Sequence, residues 1–402
     1  MSRDRANPPV PLCVPVLGGR ENDYLRECIE SGWVSYLGPF VERFERAIAD
    51  FVGVPHALAT SSGTAALHLA LLAVGVRPED EVIVPTMTFI APANAVRYVG
   101  AHPVFVDCEP DYWQMDVGRV AAFLERGCRR RGEALVNRAS GRLVTAILPV
   151  HVLGHPVDMD PILALAKLYG LRVVEDATES LGARYKGRAV GSLADAACFS
   201  FNGNKLITSG GGGMVASADA DVIRRARHLS TQAKTDAVEY VHDAIGFNYR
   251  LTNIQAAVGC AQAERLAEYV AAKRAIAARY RAGLAGVAGV ETMPAAEWAE
   301  AVFWMYTVRL RAAGKASGSR PVLRALAARG IQTRPLWQPL HLSAAHRGSQ
   351  KLGGAVAEGL YHQALSLPCS VDLAPAVQER VIAALKKELA GLGAAAKVLT
   401  EA

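Results

Sequence analysis

Between residues 56 and 217, short apolar runs alternate with longer helical patterns, and this alternation limits the folds open to the chain more than any other feature. The strand-like runs are 56–60, 81–85, 103–107, 143–150, 171–175, 197–201 and 213–217. Helical patterns at 64–74, 91–99, 116–125 and 159–169 lie between several of them. Parallel neighbours need such crossovers, and strands covered on both faces are apolar along their length. The pattern predicts an α/β domain built on a mainly parallel, seven-stranded sheet. One long alanine-rich helix is expected at about 252–284. Beyond it come an extended run at 303–310, a helix at 321–329, an extended stretch at 331–335 and a final helix at 376–392. These features predict an N-terminal arm (1–20), a large domain (21–270) and a smaller C-terminal α+β domain (271–402). Residues beyond 391 are expected to be weakly ordered.

The chain has 402 residues, 51% apolar and 20% charged, which suits a globular protein with a large core. A net charge of +6 is small for that length and gives no reason to expect a nucleic-acid partner. The nearest basic cluster, Arg126 with Arg129, Arg130 and Arg131, is expected on a surface helix and loop, either solvated or touching an anionic ligand. Seven scattered cysteines show no C-x-x-C spacing. That argues against a disulfide framework or a metal site and for a reducing cytoplasm. No apolar leader or membrane-length stretch is present, so a soluble cytoplasmic protein is expected.

Lys205 is the residue that points to chemistry. It ends the run Phe199-Ser200-Phe201-Asn202-Gly203-Asn204-Lys205, and Gly210 to Gly213 follow soon after. A lysine in an apolar, glycine-flanked setting loses its proton easily and becomes a nucleophile; a satisfied structural lysine is the alternative. Ser61-Ser62-Gly63-Thr64 follows one strand and opens a helix. That arrangement is either an ordinary N-cap or a phosphate cradle at a helix N-terminus. Asp176 closes a buried strand, at the sheet edge where open α/β sheets bind ligands. It serves either as an N-cap or as the carboxylate that keeps a pyridine nitrogen protonated. Phe89, just past another strand end, is either core or an aromatic cover for a planar ring. Ser200 is within reach of a phosphate held near Lys205. Asn248 and Arg250 sit in a polar loop that either caps the next helix or reaches a ligand across a subunit boundary. Together these residues fit one cofactor, pyridoxal 5′-phosphate.

With these segments in this order, the chain resembles the nucleotide-sugar aminotransferases of the DegT/StrS class, a pyridoxal phosphate family with the aspartate aminotransferase fold. The resemblance runs from about residue 32 to 373 and includes Ser62-Gly63-Thr64-Ala65-Ala66-Leu67, Glu175-Asp176-Ala177, Ser200 to Lys205 and Asn248-Tyr249-Arg250. It implies that Lys205 is the Schiff-base lysine and Asp176 the partner of the ring nitrogen. It places Ser62, Gly63, Thr64 and Ser200 around the phosphate, with Phe89 over the ring. It also implies a homodimer with shared sites, in which Asn248 contacts the phosphate of the neighbouring subunit's cofactor.

Glu179 departs from the glutamine or histidine common at that position and counts among the cofactor contacts. Ser-Phe-Asn-Gly-Asn-Lys, with the segments 151–159 and 229–234, resembles the branch that aminates C4 of UDP-4-keto-6-deoxy-N-acetylglucosamine on routes to bacillosamine or legionaminic acid. L-Glutamate is the implied amino donor in a ping-pong transamination. Arg250, Trp337 and His341 are candidate substrate contacts. Four alternatives stand beside this reading. One is an aminotransferase for a GDP-linked, dTDP-linked or C3-keto sugar, and another is a pyridoxal phosphate-binding regulator without turnover. A 3-dehydratase is disfavoured because such enzymes carry histidine in place of the lysine. A dinucleotide-dependent dehydrogenase is disfavoured because no G-x-G-x-x-G follows the first strand.

Overall fold

A computed structural model gives the fold and describes residues 8–236, 238–311 and 318–400. The central sheet runs in the order His56–Thr60, Gly213–Ser217, Ala196–Ser200, Arg172–Asp176, Val144–Ile147, Glu81–Pro85, His102–Val106, Lys351–Leu352. Gly213–Ser217 is antiparallel to both its neighbours, and the other pairs are parallel. Val82, Ile83 and Val84 at its centre have no exposed surface. Fully burying such a side chain stabilises by roughly 1.5–3 kcal/mol. Helices cover both faces, which is why the strands are apolar throughout rather than alternating.

The sheet has eight strands where the apolar runs predict seven. Lys351–Leu352 pairs with His102–Val106, and its edge is fixed by Phe105 N–H donating to Gln350 O (2.9 Å) and Asp107 N–H to Leu352 O (3.0 Å). A two-residue strand inside a glycine-rich loop carries no apolar run to mark it. A second, antiparallel sheet joins Val290–Thr292, Tyr306–Leu310, Ala364–Leu367 and Arg334–Pro335.

The long helix expected at 252–284 is two helices. Asn253–Ala263 opens with a capping box between Thr252 and Gln255. Leu266–Leu284 follows Arg265, whose dihedrals (φ −108°, ψ 8°) leave the helical region. Two earlier helices, Glu21–Ser31 and Pro39–Val52, pack on the first of these. Asn253 Oδ1 accepts from Phe40 N–H (3.0 Å), and the Phe44 ring lies where a Cβ on Gly259 would come within 2.7 Å. Within the arginine cluster, Arg126 lies on a helical turn, Phe123–Gly127, as expected, whereas Arg129, Arg130 and Arg131 lie exposed on a strand hairpin, Cys128–Arg131 against Ala134–Asn137, instead of a loop. The final helix is Pro375–Thr400. The described part of the N-terminal segment lies on the second sheet. Val10 bridges Ile331, and Cys369 N–H donates to Leu12 O (2.7 Å). No helix among the described residues is long and apolar enough to cross a membrane.

Candidate active site

The C-terminal ends of the parallel strands meet at a cavity of about 320 Å³. Ser62, Gly63, Thr64, Phe89, Glu179, Ser200 and Lys205 line it, together with Trp304 and Trp337. Asp176 ends its strand next to the same group and is 2% exposed.

One wall is the start of helix Gly63–Ala73. Ser62, in an extended conformation, caps it by accepting from Ala65 N–H (3.0 Å). The helix dipole and its first-turn N–H groups face the cavity. Glycine is required here by close approach. A Cβ on Gly63 would lie 2.9 Å from Ser200 Cβ, and one on Gly213 would lie 2.5 Å from Gly63 N. Gly212, at φ +114°, turns the chain into that contact. The glycine run after Lys205 therefore lets two backbones and the Ser200 hydroxyl crowd one spot.

Neighbouring residues of strand Arg172–Asp176 point to opposite faces. Glu175 is wholly buried and satisfied by His151 Nε2 (3.1 Å) and the N–H groups of Gly191 (2.9 Å), Leu193 (2.8 Å) and Ala194 (3.1 Å). Asp176 faces the cavity side, its Oδ1 accepting from Thr178 N–H (3.0 Å). Burial raises its pKa against the pull of the Thr178 hydrogen bonds and the Lys205 charge. Lys205 is half-buried, with Nζ 4.0 Å from the centre of the Trp304 ring. Burial lowers its pKa, and Glu179 and Asp176 oppose that shift. Trp304 is fixed in turn by its indole N–H donating to Asn204 O (2.7 Å). Sequence reasoning missed Trp304, which lies in a run that reads only as a core strand.

Glu179 accepts from Leu153 N–H (2.8 Å) and is 5% exposed. Burial lifts its pKa from 4.5 to about 7, against the pull of Lys205. An acid raised in the fold contributes stability that is complete below its unfolded pKa and is lost as pH rises through its folded one. Glu179 therefore weighs against the cofactor-free fold above about pH 7, on the order of 3 kcal/mol at one unit per 1.36 kcal/mol. Glu179→Gln keeps an oxygen for Leu153 and is expected to raise the melting temperature at pH 8 while leaving it almost unchanged at pH 5. Coincident melting curves at pH 8 would refute the cost assigned to this carboxylate.

Three expected site residues lie away from the cavity wall. His341 is a packed side chain: Nδ1 meets Thr86 Oγ1 (2.7 Å), Nε2 meets Glu358 Oε1 (3.0 Å), and only 2% of the side chain is exposed. Both ring nitrogens are committed, so the expected substrate contact is not available to it. Asn248 is exposed and accepts from Arg250 Nη2 (2.9 Å). The Arg250 guanidinium sits 3.5 Å from the centre of the Tyr36 ring.

The chain matches the DegT/DnrJ/EryC1/StrS aminotransferase family over residues 15–386. It is 43% identical to a GDP-perosamine synthase of Caulobacter vibrioides, over 95% of this chain and 99% of that protein. It is 37% identical to a UDP-N-acetyl-3-dehydro-α-D-glucosamine 3-aminotransferase of Acidithiobacillus ferrooxidans, over 88% and 90%. The crystal structure of DesV from S. venezuelae superposes with a TM-score of 0.83 at 34% identity, covering 95% of this chain and 99% of that one. The chain thus belongs to the DegT/DnrJ/EryC1/StrS aminotransferase family and is a sugar aminotransferase that uses pyridoxal phosphate.

Proposed function

We propose that the protein transaminates a nucleotide-linked 4-keto-6-deoxy sugar, with L-glutamate as amino donor, in the cavity under Lys205. The observation that carries this reading is the meeting of Lys205 and the Gly63–Ser200 contact in one cavity, with the buried Asp176 within the field of Lys205. These residues fit the cofactor: a crowded, amide-rich pocket for a phosphate, a buried carboxylate, and an amine whose proton is held loosely. When bound, pyridoxal phosphate supplies an aldehyde that accepts amino groups and a ring that stores an electron pair.

The chain's own residues then divide the work. Ser62, Gly63, Thr64 and Ser200 hold the phosphate through N–H and hydroxyl groups. Asp176 holds a proton at the ring nitrogen, and that positive partner offsets the burial of its carboxylate. Lys205 would hold the aldehyde carbon, and its amine, when free, would take the proton from the donor's α-carbon. Phe89, 55% exposed at the cavity, would cover the ring, and the Trp304 face, already against the Lys205 amine, would hold that amine when it is free. Glu179 sits within the field of Lys205 and completes the set of cofactor contacts. In the homodimer we infer, Asn248 and Arg250 face the neighbouring subunit's site, and Trp337 lies on the sugar side of the cavity.

The nucleotide is best supported as GDP, since a 43% identical relative matched over nearly its whole length is a GDP-perosamine synthase. A UDP-linked 4-keto-6-deoxy-N-acetylglucosamine is the second reading, favoured by the resemblance of segments 151–159 and 229–234. The test supplies purified holoenzyme and L-glutamate with a GDP-linked 4-keto-6-deoxy hexose, or with the UDP-linked N-acetyl sugar. Mass spectrometry of the products follows. A gain of an amino group on the GDP sugar at a rate at least tenfold above the UDP sugar is expected. The reverse preference would replace the substrate assigned here, and amination of neither would remove it.

A further inference from the structure

Cys13, Lys273 and Cys369 meet behind Trp304, outside the cavity. Cys13 comes from the N-terminal segment, Lys273 from helix Leu266–Leu284, and Cys369 follows strand Ala364–Leu367. Lys273 is 1% exposed. Its Nζ donates to Cys369 O (2.6 Å) and Trp304 O (2.8 Å), and lies 3.6 Å from each of the two sulfurs. Among the described residues no carboxylate is its partner, and the two sulfurs are the ionisable groups beside it. Both sulfurs therefore lie against one ammonium. The Cys13 thiol touches Asn204 O (3.5 Å), the carbonyl that also accepts from Trp304, one residue before Lys205.

We propose that Cys13 and Cys369 form an oxidation site that a hydroperoxide converts into a disulfide against the loop carrying Lys205. The backbones already run side by side, with Leu12 O accepting from Cys369 N–H (2.7 Å), and a disulfide needs Cα atoms about 4.4–6.8 Å apart. The hydrogen bond from Cys13 and the ammonium of Lys273 draw Cys369 down to about 6, while Cys13 is raised. Burial weighs against charge on Lys273, but Cys369 and Cys13 outweigh it and its pKa is raised. The pair thus holds one proton between two sulfurs beside a fixed cation. Every other cysteine has its thiol pushed up by burial.

Cys369 has no exposed surface, whereas Cys13 is half-buried and is the more accessible of the two. Peroxide reaches Cys13, the Cys13 proton passes to the Cys369 sulfur, and the Cys13 thiolate so formed attacks the peroxide oxygen. The O–O bond breaks, the departing alkoxide or hydroxide takes a proton from water, and Cys13 becomes a sulfenic acid. Cys369 sulfur then attacks the Cys13 sulfur; the S–O bond breaks and hydroxide leaves as water with the Cys369 proton. Two electrons pass to the peroxide, formally one from each sulfur. The disulfide removes both the S–H donor to Asn204 and the anion beside Lys273.

The experiment treats the holoenzyme with hydrogen peroxide in small excess, quenches at intervals with an alkylating agent and maps peptides by mass. A linked Cys13–Cys369 peptide, 2 Da lighter than its two free parts and reversed by dithiothreitol, is expected to form at least tenfold faster than oxidation at any of the other five cysteines. Cys13→Ser is expected to abolish it. Persistence of both free thiols, or oxidation of Cys13 to sulfinic acid without a link, would overturn the proposal. The readout needs no turnover, so it stands or falls apart from the substrate reading.

Discussion

Lys205→Ala is expected to leave a folded protein that still takes up pyridoxal phosphate but transaminates at least about 10³-fold more slowly. Two contributions add here. Removal of a positioned acid–base group alone costs about 10²–10⁴, and loss of the amine also removes the covalent anchor. Stability should not fall with activity, because burial already works against the charged form of Lys205 and the two nearby carboxylates restore only part of it. The measurement pairs steady-state turnover with the absorbance of the cofactor. The band of lysine-linked cofactor should be missing, while dialysis-resistant cofactor remains through the Ser62–Thr64 and Ser200 contacts. Added methylamine should restore part of the rate by standing in for the lost amine. Wild-type turnover in this variant would remove Lys205 from the mechanism, and the phosphate cradle would then have to serve some other reaction.

Asp176→Asn is the second large effect, and its direction differs between stability and rate. Asparagine has the same shape and can keep the Thr178 N–H bond through its oxygen. What it loses is the charge. Without cofactor, Asp176 is an acid whose pKa burial raises. The stability tied to its proton is complete below the unfolded pKa and is lost as pH rises through the folded one. At neutral pH the cofactor-free variant should therefore melt no lower than wild type. With cofactor, a carboxylate aimed at a ring nitrogen is a preorganised electrostatic group, and removing one such group costs about 10²–10³ in kcat. Melting curves and kcat together decide the assignment. A variant that is less stable but fully active would make Asp176 a structural residue.

The parallel sheet was legible because its strands are buried on both sides, so periodicity and length agree. The cavity wall at the start of helix Gly63–Ala73 was legible because Ser62, Gly63 and Thr64 are small or hydroxylated and sit together at a strand-to-helix turn, where free N–H groups converge. What stayed hidden depends on partners far along the chain. Trp304 looks like core in its own segment; only its indole bond to Asn204 and its face against Lys205 give it a place at the cavity. His341 misled in the opposite way. Its proline-rich, aromatic surroundings suggested a binding mouth, yet Thr86 and Glu358, distant in sequence, occupy both nitrogens. The break at Arg265 and the strand Lys351–Leu352 carry no apolar signal and are set by tertiary contacts.

That last strand bears on how such chains can be recombined. The segment between two strands of the second sheet, Arg334–Pro335 and Ala364–Leu367, crosses over to lie on the open edge of the first. It brings Leu340, whose N–H donates to Thr86 O (2.8 Å), and Gly354, whose N–H donates to the buried Asp107 carboxylate (2.7 Å). A graft that swaps everything after the long helices between two relatives would exchange one rim of the first sheet along with the second sheet. Chimeras that keep residues 340–357 with the sheet they border should inherit substrate preference cleanly, while a single crossover near residue 270 joins an edge to a strand it did not evolve beside.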